Sequence, residues 1–150
     1  MKKTTLILPF LVTFFLYKSF SQSTSSEITG KFFDLYKKSP EQAIDYAFST
    51  NKWIIDKNQD GIANVKNQLT NTLELIGDYY GFEVITEKQI GENYILNSFL
   101  IRYDRQPLRF TFILYKPKDT WQVQSFLFDD NIDDELKESA TAYRLKENWE

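Results

Sequence analysis

The chain has 150 residues, 42% of them hydrophobic and 26% charged, which suits one folded domain, is too short for two independent cores, and argues against disorder. It contains neither histidine nor cysteine, which excludes disulfides, a cysteine-linked lipid anchor, the serine triad and most transition-metal sites. Its net charge of −3 sets it against phosphate, so nucleic acid is an unfavourable partner.

Residues 1–21 have the layout of a secretory signal peptide. Lys2 and Lys3 open it, Leu6 to Leu16 is its apolar core, and Ser19-Phe20-Ser21 places small residues before Gln22. The apolar run is shorter than the roughly 20 residues of a membrane-spanning helix, and Lys18 interrupts it. The expectation is an exported protein, periplasmic or secreted, with no stable membrane anchor after processing; a retained anchor is the alternative. Processing would remove Lys2, Lys3 and Lys18 and no acid, taking the net charge from −3 to −6. Residues 22–26 form a polar, flexible lead-in.

From 27 to 130 the pattern is that of an α+β domain. Ile28, Phe32 and Leu35/Tyr36 recur at helical spacing behind a cap at Ser25 or Ser26. Ser39-Pro40-Glu41-Gln42 is a second helix start, with a capping box completed by Gln42 and with Ala43, Ile44, Ala47 and Phe48 turned inward. A third helix carries Val65, Leu69, Leu73, Ile76 and Tyr79 or Tyr80 on one stripe, with Asp60 at its start and Gly81 at its exit. A strand over 82–90 then puts Phe82, Val84 and Thr86 on one face, and Gly91-Glu92-Asn93 turns it into a meander of three further strands. The meander's breaks fall at Asp104-Arg105-Gln106-Pro107 and Lys116-Pro117-Lys118-Asp119. Leu108, Phe110, Phe112 and Leu114 share a wholly apolar face, which the helices are expected to cover; Arg109 lies on the other, where an acid across the strands or in a dimer would pair with it. Residues 131–150 form a C-terminal helix and tail whose stripe of Ile132, Leu136, Ala140 and Tyr143 is expected to dock on the second sheet face.

Three N-terminal helices packed on a curved four-strand antiparallel sheet, with a helix after it, resembles the nuclear-transport-factor-2-like and cystatin-like cone superfamily. The residues that carry the resemblance are Gly77-Asp78-Tyr79-Tyr80-Gly81, Tyr103 to Phe110, Tyr115-Lys116-Pro117 and Trp121, over roughly 27–130. Together they look like a group of small exported bacterial domains of that fold. The resemblance implies a cone with a pocket, used by some members for isomerase or dehydratase chemistry and by many only to bind or dimerise.

The candidate residues follow from the chemistry. A carboxylate base with a tyrosine proton donor is conceivable from Asp78 or Asp104 with Tyr80, Tyr94 or Tyr103. Trp53, on a connecting segment, either stacks on a ligand at the mouth of the cone or packs beneath a loop. The pocket candidates are therefore Trp53, Tyr80, Tyr94 and Tyr103. Asp56, Asn58 and Asp60, followed by Gly61, match the opening of a calcium loop, but position twelve is Asn67 and lacks the required carboxylate; the alternative is a polar turn that caps the next helix. No cofactor is called for. The expected function is a non-catalytic binding or interaction module for a small molecule or protein. The alternatives are a histidine-free acid–base enzyme and a structural homodimer joined through the open sheet face.

Overall fold

Residues 24–147 are described by a computed structural model of the protein; the leader expected at 1–21 lies outside them. The elements run α1 (Ser25–Tyr36), α2 (Pro40–Ser49), α3 (Lys52–Lys57), α4 (Gln59–Ile76), β1 (Tyr79–Ile90), β2 (Tyr94–Tyr103), β3 (Leu108–Tyr115), β4 (Gln122–Asp129) and α5 (Ile132–Glu147). The strands form one antiparallel sheet in the order β1-β2-β3-β4, and the helices before it cover one face. This is the expected α+β class, with the short α3 added to the three expected N-terminal helices.

Local chemistry explains where the helices begin. Thr24 caps α1: its hydroxyl accepts from the Glu27 amide while the Glu27 carboxylate accepts from the Thr24 amide. The cap therefore lies one or two residues before Ser25 or Ser26, and both serines belong to the helix rather than to a flexible lead-in. Ser39 caps α2 by accepting from the Gln42 amide, with Pro40 in the first turn, as its sequence predicts. The reciprocal half of the expected capping box does not form, because the Ser39 amide donates instead to the Leu35 carbonyl at 2.9 Å.

The core lies between this helical layer and the sheet. Leu108, Phe110, Phe112 and Leu114 are at most 1% exposed, which bears out the expectation for the apolar face of β3. Their neighbours in register are Ile101, Phe99, the buried Asn97 and Ile95 on β2, and Phe128, Phe126 and Val123 on β4. Phe32 of α1 enters this surface and meets Phe110, Phe112 and Phe126 at ring-centroid distances of 6.2, 4.9 and 5.5 Å. Phe33 beside it stacks on Phe82 and meets Phe99 edge-on. Offset and edge-to-face contacts of this kind favour one arrangement of the rings beyond what burial alone supplies. The space expected to hold a pocket is packed with phenyl rings.

Two expectations about β1 change. The helix before it ends at Ile76, and Gly77, at φ +89°, makes the exit; Gly81 lies inside the strand. Tyr79 and Tyr80 are thus strand residues. A break in register between Val84 and Thr86 also separates residues expected on one face: Phe82 packs inward, whereas Thr86 pairs with Ser98 on the other side.

That other side stays open. Leu136 and Tyr143 of α5 are 65% and 64% exposed, so the expected docking of the helix on its own sheet does not occur. Arg109 supplies the reason. Its guanidinium bonds Asp129 across the strands at 2.9 Å and Glu135 in the first turn of α5 at 2.6 Å, which fixes the root of the helix at the edge of the face.

Candidate functional site

The four pocket candidates fall into four different surroundings. Tyr103 is at the end of the core, where its hydroxyl meets that of Tyr36 at 2.5 Å. Burial is the main reason that both phenols are raised far above the usual tyrosine range, so both remain protonated and neither offers a base. The buried hydroxyl of Tyr79 lies in the same aromatic group, with no side-chain or backbone partner among the described residues. Tyr94 lies on the open sheet face, its ring 6.1 Å from that of Tyr115.

Tyr80 does meet a carboxylate: its hydroxyl donates to Asp104 at 2.5 Å. The arrangement is nevertheless unsuited to proton abstraction. The hydrogen bond from Tyr80, and then that from the Asp78 amide at 2.6 Å, hold the Asp104 carboxyl below its ordinary range, and the residue is exposed. A general base for work near neutral pH needs the opposite shift. What Asp104 and its neighbour do is close the end of α4. Asp104 takes the Asp78 amide, while the Arg105 amide and guanidinium donate to the Ile76 and Leu75 carbonyls at 3.0 Å each. Asp78 contributes its backbone amide here.

Because the folded pKa of Asp104 is depressed, its contribution to stability is present above the unfolded carboxylate value of about 3.9 and is lost as pH falls through the folded value. Asp104→Asn is expected to lower the unfolding midpoint at neutral pH, and its deficit against the parent should shrink in acid. Urea titrations at neutral and acidic pH check this; a deficit that stays the same size would contradict it.

The calcium-loop candidates are not arranged as a loop. Asp56 is in α3 and Asp60 in the first turn of α4, with only Asn58 between the helices. A twelve-residue ligand loop must wrap its oxygens around the ion, whereas here positions after Asn58 are already helical. The polar corner of the alternative reading is what forms, although Asn58 makes no side-chain cap to α4. Among the described residues no group of three or more acidic side chains is placed to hold a metal.

Trp53 is the candidate that the fold presents. It lies in α3, 62% exposed, and so does not pack beneath a loop. Asn51, just ahead of it, is 2% exposed and fixes the corner: its side-chain oxygen accepts from the Trp53 amide at 3.2 Å, and its side-chain nitrogen donates to the Val123 carbonyl at 3.0 Å. Thr50 adds a second tie by accepting from the Val123 amide at 2.8 Å. These bonds join the α2–α3 corner to the start of β4. Across from it the β3–β4 loop is anchored by Trp121, which is buried beneath Lys116.

Between corner and loop runs a groove of about 720 Å³. Trp53 and Pro117 supply its apolar surface, and Ser49, Lys52, Lys118, Asp119, Thr120 and Gln122 its polar groups. The Lys52 ammonium lies 5.4 Å from the Trp53 ring. Sequence reasoning found the tryptophan but missed the groove. Its other wall is more than sixty residues away, and the burial of Asn51 that ties this corner to β4 shows only in the fold, since in the sequence Asn51 is one more polar residue of the Ser49-Thr50-Asn51-Lys52 run. Compared with protein-family models, curated proteins and solved structures, the chain finds no match.

Proposed function

We propose that this chain is an exported, non-catalytic binding module of the cone type, and that it takes its ligand on the outside of the cone, in the Trp53 groove. The observation that carries the reading is an exposed indole, on a backbone fixed by a buried asparagine, inside a recess ringed with hydroxyl, amide and ammonium groups. A ligand that matches it has an apolar face for stacking and a periphery rich in hydrogen-bonding groups. A sugar ring has both, because its C–H face and its hydroxyls lie on different sides of one small molecule. The packed interior supports an external site, and the lowered Asp104 carboxyl speaks against acid–base chemistry at the one tyrosine–carboxylate pair described here.

The test is a titration of the ¹⁵N-labelled protein with neutral and acidic oligosaccharides, followed through the Trp53 indole N–H. Saturable shifts at Trp53, Thr120 and Gln122 are expected with at least one of them. Trp53→Ala should weaken that binding tenfold or more, as loss of a central aromatic contact of about 2 kcal/mol would. Shifts confined to other parts of the protein, or none with any sugar, would remove the reading.

A further inference from the structure

On a chain of net charge −3, the Trp53 groove is lined by two lysines, Lys52 and Lys118, and one acid, Asp119. All three residues are exposed, and among the described residues none of them is in an ion pair. Lys116, the other lysine of the β3–β4 loop, is turned onto the Trp121 ring at 5.3 Å and does not line the groove. Cations elsewhere are already answered. In the smaller recess between α2, α3 and α4, Lys66 bonds Asp45 at 2.8 Å. On the sheet, Arg102 faces Glu83, and Arg109 faces Asp129 and Glu135. Lys52 and Lys118 keep their charge for a ligand.

The groups of the groove also differ in place. Lys52 is on the corner wall, its ammonium 5.4 Å from the centre of the Trp53 ring, so it flanks whatever stacks there. Lys118 and Asp119 are on the loop wall with Thr120, and Gln122 follows at the start of β4. An ammonium only donates hydrogen bonds and a carboxylate only accepts them. The side of a ligand beside the indole therefore meets a positively charged donor. Its far side meets an acceptor for hydroxyl hydrogens next to a second donor. A neutral sugar satisfies the far wall and leaves Lys52 unanswered. A uronate, which has a carboxylate on the rim of a ring of hydroxyls, satisfies both.

We infer that the groove takes an acidic oligosaccharide built of uronate residues, with one ring on Trp53, its carboxylate at Lys52, and hydroxyls on Asp119, Thr120 and Gln122. Lys118 answers the carboxylate of the next residue along the chain. This rests on the reading of the groove as a sugar site and adds the charge of the sugar. The groove, about 720 Å³, has the size of a small-molecule site, about 300–1,000 Å³.

The probes are the trisaccharides of glucuronate, galacturonate and mannuronate, each beside its methyl ester, which keeps the ring and its stereochemistry and removes the charge. They are titrated into the ¹⁵N-labelled protein and followed at the Trp53 indole N–H. At least one acid should bind about fivefold or more tighter than its own ester at low ionic strength, a modest factor because the ammonium groups are exposed. That gap should close as salt is raised to about 1 M. Lys52→Met keeps the apolar stem beside the indole and should remove most of the gap, Lys118→Met less of it, and Lys52→Arg should restore it. Acid and ester binding equally at the groove would overturn the inference and leave the sugar reading standing. So would a gap that persists at high salt or in the doubly substituted Lys52→Met, Lys118→Met protein. If neither acid, ester nor any neutral sugar shifts the indole, the sugar reading itself fails and the inference goes with it.

Discussion

Phe32→Ala is expected to lower the folding free energy by about 3–5 kcal/mol, the usual loss for a buried phenylalanine replaced by alanine. The side chain is fully buried and touches five other rings, on α1, β3 and β4, so few atoms can move to fill the space it leaves. Against a total stability of about 5–15 kcal/mol this is a large fraction, and the layer of helices loses its main hold on the sheet. Urea unfolding followed by circular dichroism measures it. Leu75→Ala, at a position 67% exposed on α4, is the control and should change stability by less than about 0.5 kcal/mol. If the two variants unfold at similar midpoints, the packed interface described here is wrong.

Gly77→Ala is expected to cost about 3 kcal/mol or more, for two reasons that add. At φ +89° and ψ −155° the residue occupies a region essentially reserved for glycine, where strain is about 1–3 kcal/mol. A methyl group there would also collide with the Asp104 carboxylate. That side chain is held from the other side by Tyr80 and the Asp78 amide, so it can yield only by breaking those hydrogen bonds. Gly30 provides the contrast. It sits inside α1 with open space where a Cβ would go, and Gly30→Ala should stabilise by about 0.5–1 kcal/mol. Thermal unfolding of the two variants should therefore move in opposite directions, and a tolerated alanine at 77 would contradict the closure described for α4.

The parts of the architecture that could be read beforehand are those specified by neighbouring residues. Alternation along Leu108 to Leu114 identifies the face to be covered because side chains alternate at every step of a strand, whatever lies above them. Ser39-Pro40 marks the start of α2 through one hydroxyl and one fixed φ. The Thr24–Glu27 box is legible on the same terms, but the adjacent Ser25 and Ser26 are equally good caps by residue type. What escaped depends on residues distant in sequence. Gly77 and Gly81 look alike in the chain, and only the approach of Asp104 and Arg105 decides which one ends the helix. The stripe on α5 has helical spacing, but spacing does not say what it packs against, and the course of the helix is set at its root, where Arg109 pairs with Asp129 and Glu135. Trp53 was visible as an aromatic on a connection; the second wall of its groove came from the β3–β4 loop.

The sheet order β1-β2-β3-β4 repeats the order of synthesis, so each strand finds its partner across a short reversal of the chain. Hairpins of this kind form within about 1–10 μs, because little entropy is lost in closing a few residues. Phe32 and Phe112, by contrast, are eighty positions apart, and the ring contacts between α1 and β3 must wait for that long loop to close. The barrier to reaching the native state is therefore expected to lie in the arrival of the N-terminal helix on a meander that has already zipped.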